Sequence, residues 1–409
     1  MICKPVCINK MLNSSKGKNY NTLYIQIKFF ISTYIVVFLR AVMMLQLRYI
    51  VTCLLLFVCL HGAVAQVSWP NPEIENLYKQ AREFHSQGNL RQAIIRYQQA
   101  IQIAPDIVLL HRELAHAYYL AQGYDDAIAT LEPIIKQQQA DAETYKIMAQ
   151  SLVAINETKK AKKLLRDAIN DIPNAGTLYH QAGLLHEADN EQVYALEAWL
   201  DGIQKDPAYH LNYYEAARMY MNTSKMVWAI IYGEIFINLE QQTKRSYDTR
   251  AMVLEAYKRL YTSVATGNVP KFGKTAGKGN KGFEEAVYST YIQLAPVITD
   301  GITTENLTIL RTRFLMDWTM QYADKYPFSL FTRYNQLVSN GYFDIYNQWM
   351  FGKTENQQQY DAWMKFHPEA MPRLQGWMNQ YPYKPVPNEF YNEKTVDGIF
   401  EKKKAEDKR

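Results

Sequence analysis

Cysteine is nearly absent from this sequence, and acidic residues are missing from its first 65 positions. The chain has four cysteines, Cys3, Cys7, Cys53 and Cys59, and all of them lie within residues 1–65. Residues 66–409 therefore offer no disulfide, no thiolate metal site and no cysteine nucleophile. The segment 1–65 also contains seven lysines and arginines and no aspartate or glutamate. An acid-free, basic beginning is typical of export signals.

Long hydrophobic runs are also lacking. The two apolar stretches, residues 29–39 and residues 50–60, are shorter than the ~20 residues that an ordinary transmembrane helix needs. The second stretch follows Arg48 and precedes an Ala-x-Ala pattern that ends at Ala65, which is typical of a signal-peptide cleavage site. We expect residues 1–65 to be a leader, with translation starting at Met43 or Met44. A leader retained as a membrane anchor is the alternative.

An excess of basic charge is lacking outside the leader. The chain has 45 basic and 40 acidic residues, and the leader accounts for seven basic ones, so residues 66–409 carry 38 against 40, a net charge of −2. Nucleic acid is therefore not an implied partner. Export predicts a location in the periplasm or associated with the envelope of a Gram-negative bacterium, where the chain could join an envelope complex.

Catalytic and nucleotide-binding signatures are absent as well. The segment GNVPKFGKT places five residues between Gly267 and Gly273, one more than a phosphate-binding loop allows, and a helical pattern precedes it where a strand is required. We interpret residues 266–282 as a flexible Gly/Lys-rich linker. No G-x-S-x-G elbow occurs. We predict that the protein is not an enzyme and has no cofactor.

The histidines do not form a metal motif within one helix. His111 and His116 are five residues apart, whereas H-E-x-x-H places two rings on one helical face. His111 and His186 fall at inward positions of the pattern described next, which favours packed histidines. We therefore predict no metal site.

One fixed spacing recurs through the first half of the chain. Alanine occupies every thirty-fourth position, at 93, 127, 161, 195 and 229, and a small residue stands twelve positions before each, at 81, 115, 149, 183 and 217. Large residues flank the small ones at helical spacing. Each period thus predicts two amphipathic helices that cross closely at small side chains.

Turn residues agree with this period. Gly88 and Gly123 stand between the two helices of the first two units, where a left-handed residue can end a helix. Pro105, Pro173 and Pro207 follow the second helices of units one, three and four. Proline cannot continue a helix, so these positions predict helix ends.

With this pattern the sequence resembles the tetratricopeptide repeat family over residues 74–243, in five units. The resemblance implies an all-α, right-handed solenoid of helix-turn-helix repeats whose concave face usually binds protein partners. Residues 244–265 resemble a degenerate sixth repeat. Residues 283–384 predict a helical C-terminal region, with Thr304 as a helix cap and Gly341 at a turn. Residues 385–409 predict a charged, solvated tail.

The resemblance also implies partner-binding positions. The family presents the second, fifth, ninth and twelfth positions of each first helix to its groove, and these positions are rich in basic and tyrosine side chains here. The candidate partner-binding residues are Tyr78, Arg82, Arg112, His116, Tyr119, Lys146, His180, Tyr214 and Arg218. Arginine and tyrosine are common energetic centres of interfaces.

We therefore predict a non-catalytic scaffold that binds a protein or peptide partner, including an acidic or C-terminal segment, on this face. A solvated face of ordinary helix charges is the competing interpretation. The alternative function class is an enzyme or glycan-handling protein with its site among Trp318, Trp349, Trp363 and Trp377. Aromatic residues at helical spacing are more often core residues.

Overall fold

The computed structural model describes residues 69–267, 282–387 and 389–392. Within these ranges the regular structure is helical, with no β-strand, and the helices follow one another in tandem, which confirms the all-α prediction. Each helix in this part of the chain is too short or too polar to cross a bilayer. The predicted leader, nearly all of the Gly/Lys-rich segment with its GKT sequence, and the tail beyond residue 392 lie outside the described residues.

Five helix pairs occupy the region in which repeats were predicted. Each pair has a first and a second helix joined by a short turn. The pairs are α1 Pro72–Ser86 with α2 Leu90–Ile103, α3 Val108–Leu120 with α4 Tyr124–Lys136, α5 Ala142–Ala154 with α6 Thr158–Asp171, α7 Gly176–Ala188 with α8 Gln192–Lys205, and α9 His210–Tyr220 with α10 Met226–Leu239.

The small residues of the periodic pattern lie where helices cross. The alanines at these positions have no exposed surface: Ala81, Ala93, Ala115, Ala127, Ala149, Ala161, Ala195, Ala217 and Ala229. Gly183 takes the remaining position, and a Cβ atom there would lie 2.1 Å from Nε1 of Trp199. The tight crossing therefore requires glycine at position 183, because Trp199 fills the space that an alanine methyl would take.

The turns within the first four pairs repeat one backbone geometry. Gly88, Gln122, Asn156 and Asn190 have φ angles of 75°, 63°, 65° and 61° and recur with the same period as the crossing alanines. The amide of the following residue donates to a carbonyl five residues back, as in Asn89 to Phe84 at 2.9 Å, which is the Schellman geometry of helix ends. The prediction for Gly88 is confirmed.

The prediction that Gly123 adopts the left-handed conformation was wrong. Gly123 has a φ of −82° and is the N-cap of α4, while the preceding Gln122 is the left-handed residue. The Schellman geometry fixes the left-handed position by its distance from the end of the first helix, and glycine is favoured there but not required. The glycine in the sequence pointed to the turn but to the wrong residue within it.

Side-chain caps and prolines set several helix boundaries. Helices α2, α6 and α8 end two residues before Pro105, Pro173 and Pro207, as predicted. The predicted cap Thr304 was one residue off, because the hydroxyl of Thr303 accepts the Asn306 amide at 3.2 Å. A free backbone amide at a helix start is satisfied in this way by the residue that precedes the helix.

The chain after the fifth pair is helical but no longer periodic. Residues 244–265 form one continuous helix of 22 residues. Gly341, at φ 71°, lies at a turn as predicted. The elements are α11 Lys244–Ala265, α12 Phe283–Gln293, a 3-10 turn Ala295–Ile298, α13 Thr304–Gln321, α14 Ser329–Ser339, α15 Phe343–Asn347, a π-helical turn Gln348–Gly352, α16 Lys353–Glu355, α17 Gln357–Phe366 and α18 Ala370–Gln380.

The C-terminal helices cover the last helix of the repeats. Every residue of α10 from Met226 to Asn238 is buried, whereas an ordinary second helix buries one face. One apolar cluster joins residues 193–237 to the helices beyond residue 253. The C-terminal region therefore closes the end of the repeat array, which a solenoid needs because its last apolar face has no further repeat to cover it.

A buried ionic network ties the two parts together. Arg311 on α13 donates to the carboxylate of Glu234 on α10 and to Oδ1 of Asn347, and the Arg311 and Glu234 side chains have no exposed surface. The hydroxyl of Tyr346 also donates to Glu234, at 2.8 Å. A buried charge is tolerated only when it is paired and hydrogen-bonded, so these groups depend on one another.

Candidate functional site

The first helices of successive repeats lie side by side. Helix α3 packs on α5, α5 on α7, and α7 on α9. Their second, fifth, ninth and twelfth positions form a surface that we call the first-helix face. Across this face, position twelve of one helix lies near position nine of the next, as the rings of His85 and His116 show, with 5.1 Å between their centroids.

The nine predicted partner-binding residues lie on the first-helix face, and they differ in exposure. Arg82 is exposed, and the other eight are partly buried. The structure therefore distributes these residues over all five repeats and does not gather them into one pocket. It also shows different neighbours for the basic ones, and those neighbours decide what each can bind.

Arg112 is held by two carboxylates. Its guanidinium donates to Asp141, the N-cap residue of α5, and lies 3.3 Å from Glu113. Burial lowers the pKa of the Arg112 guanidinium, but the two carboxylates more than offset this, so its pKa is raised. Arg112 thus links the second repeat to the third.

Arg218 has the same role one interface further on. Its Nη2 lies 2.6 Å from Glu187 on α7, and its Nε donates to Glu215 at 2.9 Å. His180 lies 3.6 Å from the same Glu215. Burial raises the pKa of Glu215, but the nearby His180 and the hydrogen-bonded Arg218 guanidinium outweigh it and hold the pKa below its ordinary value.

The expected basic character of the face is therefore largely neutralised. Lys146 also has a partner, Glu143, one turn before it on α5. A cation that already binds a carboxylate has little of its charge left for an incoming acidic segment, and rearranging the pair costs desolvation. The sequence pattern showed the basic positions and did not show their acidic partners across the repeat interfaces, which are 29 residues from Arg112 and 31 from Arg218 in the chain.

Arg82 differs from the other basic residues of the face. Its pKa is raised chiefly by a hydrogen bond to the Tyr78 side chain, and a distant Glu113 contributes less. The Tyr78 ring rests on Tyr97 of α2, with centroids 6.3 Å apart. An exposed guanidinium beside a supported aromatic ring can take a carboxylate without first breaking an ion pair with another side chain.

The other two tyrosines are also supported by aromatic neighbours. Tyr119 packs on Tyr124 at 5.7 Å, and Tyr214 packs on Phe236 at 5.2 Å. The guanidinium of Arg245 lies 5.4 Å from the Tyr214 ring. Rings that are already ordered lose little side-chain entropy on binding, so they suit contacts with a partner.

Three residues with metal-ligating side chains meet at the first repeat interface. One ligand atom each from His85, Glu113 and His116 lies within 4.8 Å of the others, and all three side chains are partly buried. Burial lowers the pKa of both His85 and His116, which favours their neutral imidazole forms. A search for two histidines on one helix does not find this cluster, because His85 comes from the neighbouring repeat.

The four C-terminal tryptophans have separate surroundings. Trp318 is 1% exposed and packs on Phe314 and Phe331, so it belongs to the core. The Trp349 ring packs against Arg250 of α11, with 3.9 Å between the guanidinium carbon and the ring centroid. Trp363 stacks on His367 and Trp377 faces Arg333. The four tryptophans thus pack on different residues of the C-terminal region.

A pocket of about 530 Å³ lies on the side of the second helices, between α6, α7 and α8. Lysines and Arg166 line it together with Glu197 and Asp201. Its Lys162 is paired with Asp189 and Glu191, both at 2.6 Å. Since basic and acidic groups share this pocket, it does not favour a ligand of one charge.

Comparison with protein families gives one match. Residues 81–123 match the family model described as TPR repeat. These residues run from the crossing alanine of α1 to the N-cap of α4, and the same helix pair recurs four more times in the described chain. The matched segment thus has the sequence of a tetratricopeptide repeat, and the helix pairs that follow it share its arrangement. The comparison with curated proteins found no match.

Comparison with solved structures gives matches of low sequence identity and low TM-score, some of them to proteins described as tetratricopeptide repeat proteins. A thermophilic TPR protein from Thermus thermophilus is 15% identical over 45% of this chain and 98% of its own, with a TM-score of 0.37. Pseudomonas aeruginosa pilF is 17% identical over 48% of this chain and 89% of its own, with a TM-score of 0.39. A tetratricopeptide repeat protein from Parabacteroides merdae is 14% identical over 66% of this chain and 100% of its own, with a TM-score of 0.33.

Proposed function

We propose that this tetratricopeptide repeat protein is a non-catalytic scaffold that binds an extended peptide segment of a partner protein along its first-helix face. Repeats of this type are protein-interaction modules. A row of parallel first helices offers a long surface, and an extended segment can contact several repeats at once. We place the chain outside the cytoplasm, in the periplasm or at an envelope complex, because the segment 1–65 has the composition of an export signal.

The observation that carries the proposal is the difference between Arg82 and the other basic residues. Arg112, Lys146 and Arg218 are committed to carboxylates, two of them across repeat interfaces. Arg82 is exposed beside Tyr78. We therefore assign Arg82 as the anchor for a carboxylate of the partner, either an acidic side chain or a free C-terminus. Arg112 and Arg218 hold neighbouring repeats in register.

Charge reversal at Arg82 is expected to weaken the binding of an acidic peptide by about tenfold or more, because a charge-assisted hydrogen bond is replaced by repulsion. Fluorescence anisotropy with a panel of labelled acidic peptides measures this loss for Arg82→Glu. Each peptide is tested with a free C-terminus, with an amidated C-terminus, and with its acidic residues changed to amides. The two modified forms show which carboxylate Arg82 binds.

The matched control is Arg91→Glu, which makes the same charge change at an exposed position of a second helix. It is expected to leave peptide affinity within about twofold, since a distant surface charge is screened by salt. Unchanged affinity of both variants for every bound peptide would show that Arg82 is not the anchor. Binding that the two variants weaken equally would show a general electrostatic attraction.

A further inference from the structure

The first repeat interface has the composition of a transition-metal site. His85 lies in the last turn of α1, and Glu113 and His116 lie three residues apart on α3. Residues at this spacing share one face of a helix. The Glu-x-x-His arrangement with a further ligand from a neighbouring helix is one by which helical proteins hold metal ions.

The distances are close to those that a bound ion requires. The three ligand atoms lie within 4.8 Å of one another. Tetrahedral zinc, with bonds of about 2.0–2.2 Å, holds its ligand atoms about 3.4 Å apart. The side chains are partly exposed, so rotations of their terminal torsions can close the remaining gap. The Tyr97 ring lies nearly perpendicular to the His85 imidazole, with 6.3 Å between the ring centroids, and limits where that imidazole can turn.

The surrounding charges permit a cation at this position. Glu113 lies 3.3 Å from Arg112, but Arg112 also donates to Asp141, so it keeps a carboxylate partner when Glu113 turns to a metal. Lys146, the next cation along the face, is paired with Glu143. The Arg82 guanidinium would repel a bound cation, but its side chain is exposed and can turn toward solvent.

We propose that His85, Glu113 and His116 form a binding site for one Zn²⁺ ion between the first two repeats. Two imidazoles and one carboxylate are a ligand set that suits zinc and disfavours Mg²⁺ and Ca²⁺, which prefer oxygen ligands. Three protein ligands leave a fourth coordination position for water or for a side chain of a partner. An ion bound here joins α1 to α3 and so stabilises the first repeat interface.

Isothermal titration of the full-length chain with Zn²⁺ tests the site. The background chain carries Cys3→Ser, Cys7→Ser, Cys53→Ser and Cys59→Ser, because thiolates are strong zinc ligands in their own right. We expect one equivalent of Zn²⁺ to bind to this background. His85→Ala and His116→Ala are each expected to lower the affinity by about tenfold or more, since each removes one of three protein ligands.

The matched control is His210→Ala, which removes a partly buried histidine at the start of α9 that pairs with Glu240 at 2.8 Å and lies outside the cluster. Its Zn²⁺ affinity should equal that of the background. Glu113→Gln preserves the shape of the side chain and guards against a folding defect in the alanine variants, whose folding is checked by circular dichroism. Co²⁺ substitution should give a visible absorption band that His116→Ala abolishes.

Two results would overturn the site. The first is the absence of Zn²⁺ binding by the background chain. The second is an affinity in His85→Ala, His116→Ala and Glu113→Gln that equals the affinity of His210→Ala. The titration contains no peptide, so its failure leaves the peptide-binding proposal untouched, and failure of the peptide experiment leaves the zinc site untouched.

Discussion

Replacing Arg311 with methionine is expected to lower the free energy of unfolding by about 3–5 kcal/mol, because it leaves the buried Glu234 carboxylate without its cationic partner. Both side chains have no exposed surface, so the carboxylate that remains has no contact with bulk water. The aromatic rings of Tyr334 and Phe351, 4.8 Å and 5.3 Å from the guanidinium, lose their cation as well. Denaturant unfolding followed by tryptophan fluorescence measures the change.

The double variant Glu234→Leu/Arg311→Met removes both charges and is expected to recover part of the stability. The hydroxyl of Tyr346 retains the amide of Asn238, at 2.6 Å, as a neighbour in that variant. Arg259→Met is the matched control, since Arg259 pairs with Glu255 and their side chains are 51% and 46% exposed. An exposed pair contributes about 0–1 kcal/mol. A loss in Arg311→Met no greater than in this control would contradict the role of the network.

Replacing Gly183 with alanine is expected to destabilise the fourth repeat by about 1–3 kcal/mol, because the added methyl group overlaps the Trp199 indole. The new Cβ would lie 2.1 Å from Nε1 and 2.5 Å from Cε2 of Trp199. The indole also donates to the His180 carbonyl at 3.3 Å, so its displacement disturbs α7 as well. The helix-propensity gain of alanine over glycine, about 0.5–1 kcal/mol, is smaller than this clash.

Gly376→Ala provides the control, because it makes the same change on α18, where a Cβ has no atom within 4 Å. That variant should be unchanged or up to about 1 kcal/mol more stable. Thermal unfolding followed by circular dichroism compares the two. A Gly183→Ala protein as stable as the Gly376→Ala protein would mean that the helix crossing does not require glycine.

The repeat region was predictable because its determinants are local and periodic. A helix pair needs a small residue at its crossing, and alanine or glycine at one fixed spacing along the chain records that need directly. Proline likewise marks a helix end by its own geometry. The error at Gly123 arose because Gln122, a residue type without a strong turn preference, occupies the left-handed position.

The neighbours of the candidate site were not predictable from single motifs. Glu187 and Arg218, and likewise His85 and His116, are 31 residues apart in the chain and in contact across a repeat interface. This separation is one repeat less about one helical turn, so position twelve of one first helix meets position nine of the next. A search for complementary residues at this separation would have found both pairs.

The C-terminal region was predicted only as helical. Its helices lack a fixed period, so no rule links residues that are far apart in the chain, and Glu234 and Arg311 are separated by 77 residues. The continuous apolar character of α10 is the feature from which this burial could have been predicted, since a helix that is hydrophobic all round is buried.

Site-specific photo-crosslinking in the native host tests the central claim, that the first-helix face binds the partner. A photoreactive amino acid replaces Tyr78, Lys146 or Tyr214 on the face, and Ile95 or Lys163 on second helices as controls. We predict the same crosslinked protein from the three face positions and none from the two controls. Crosslinks from the control positions alone, or no crosslink from any face position, would contradict the proposed binding surface.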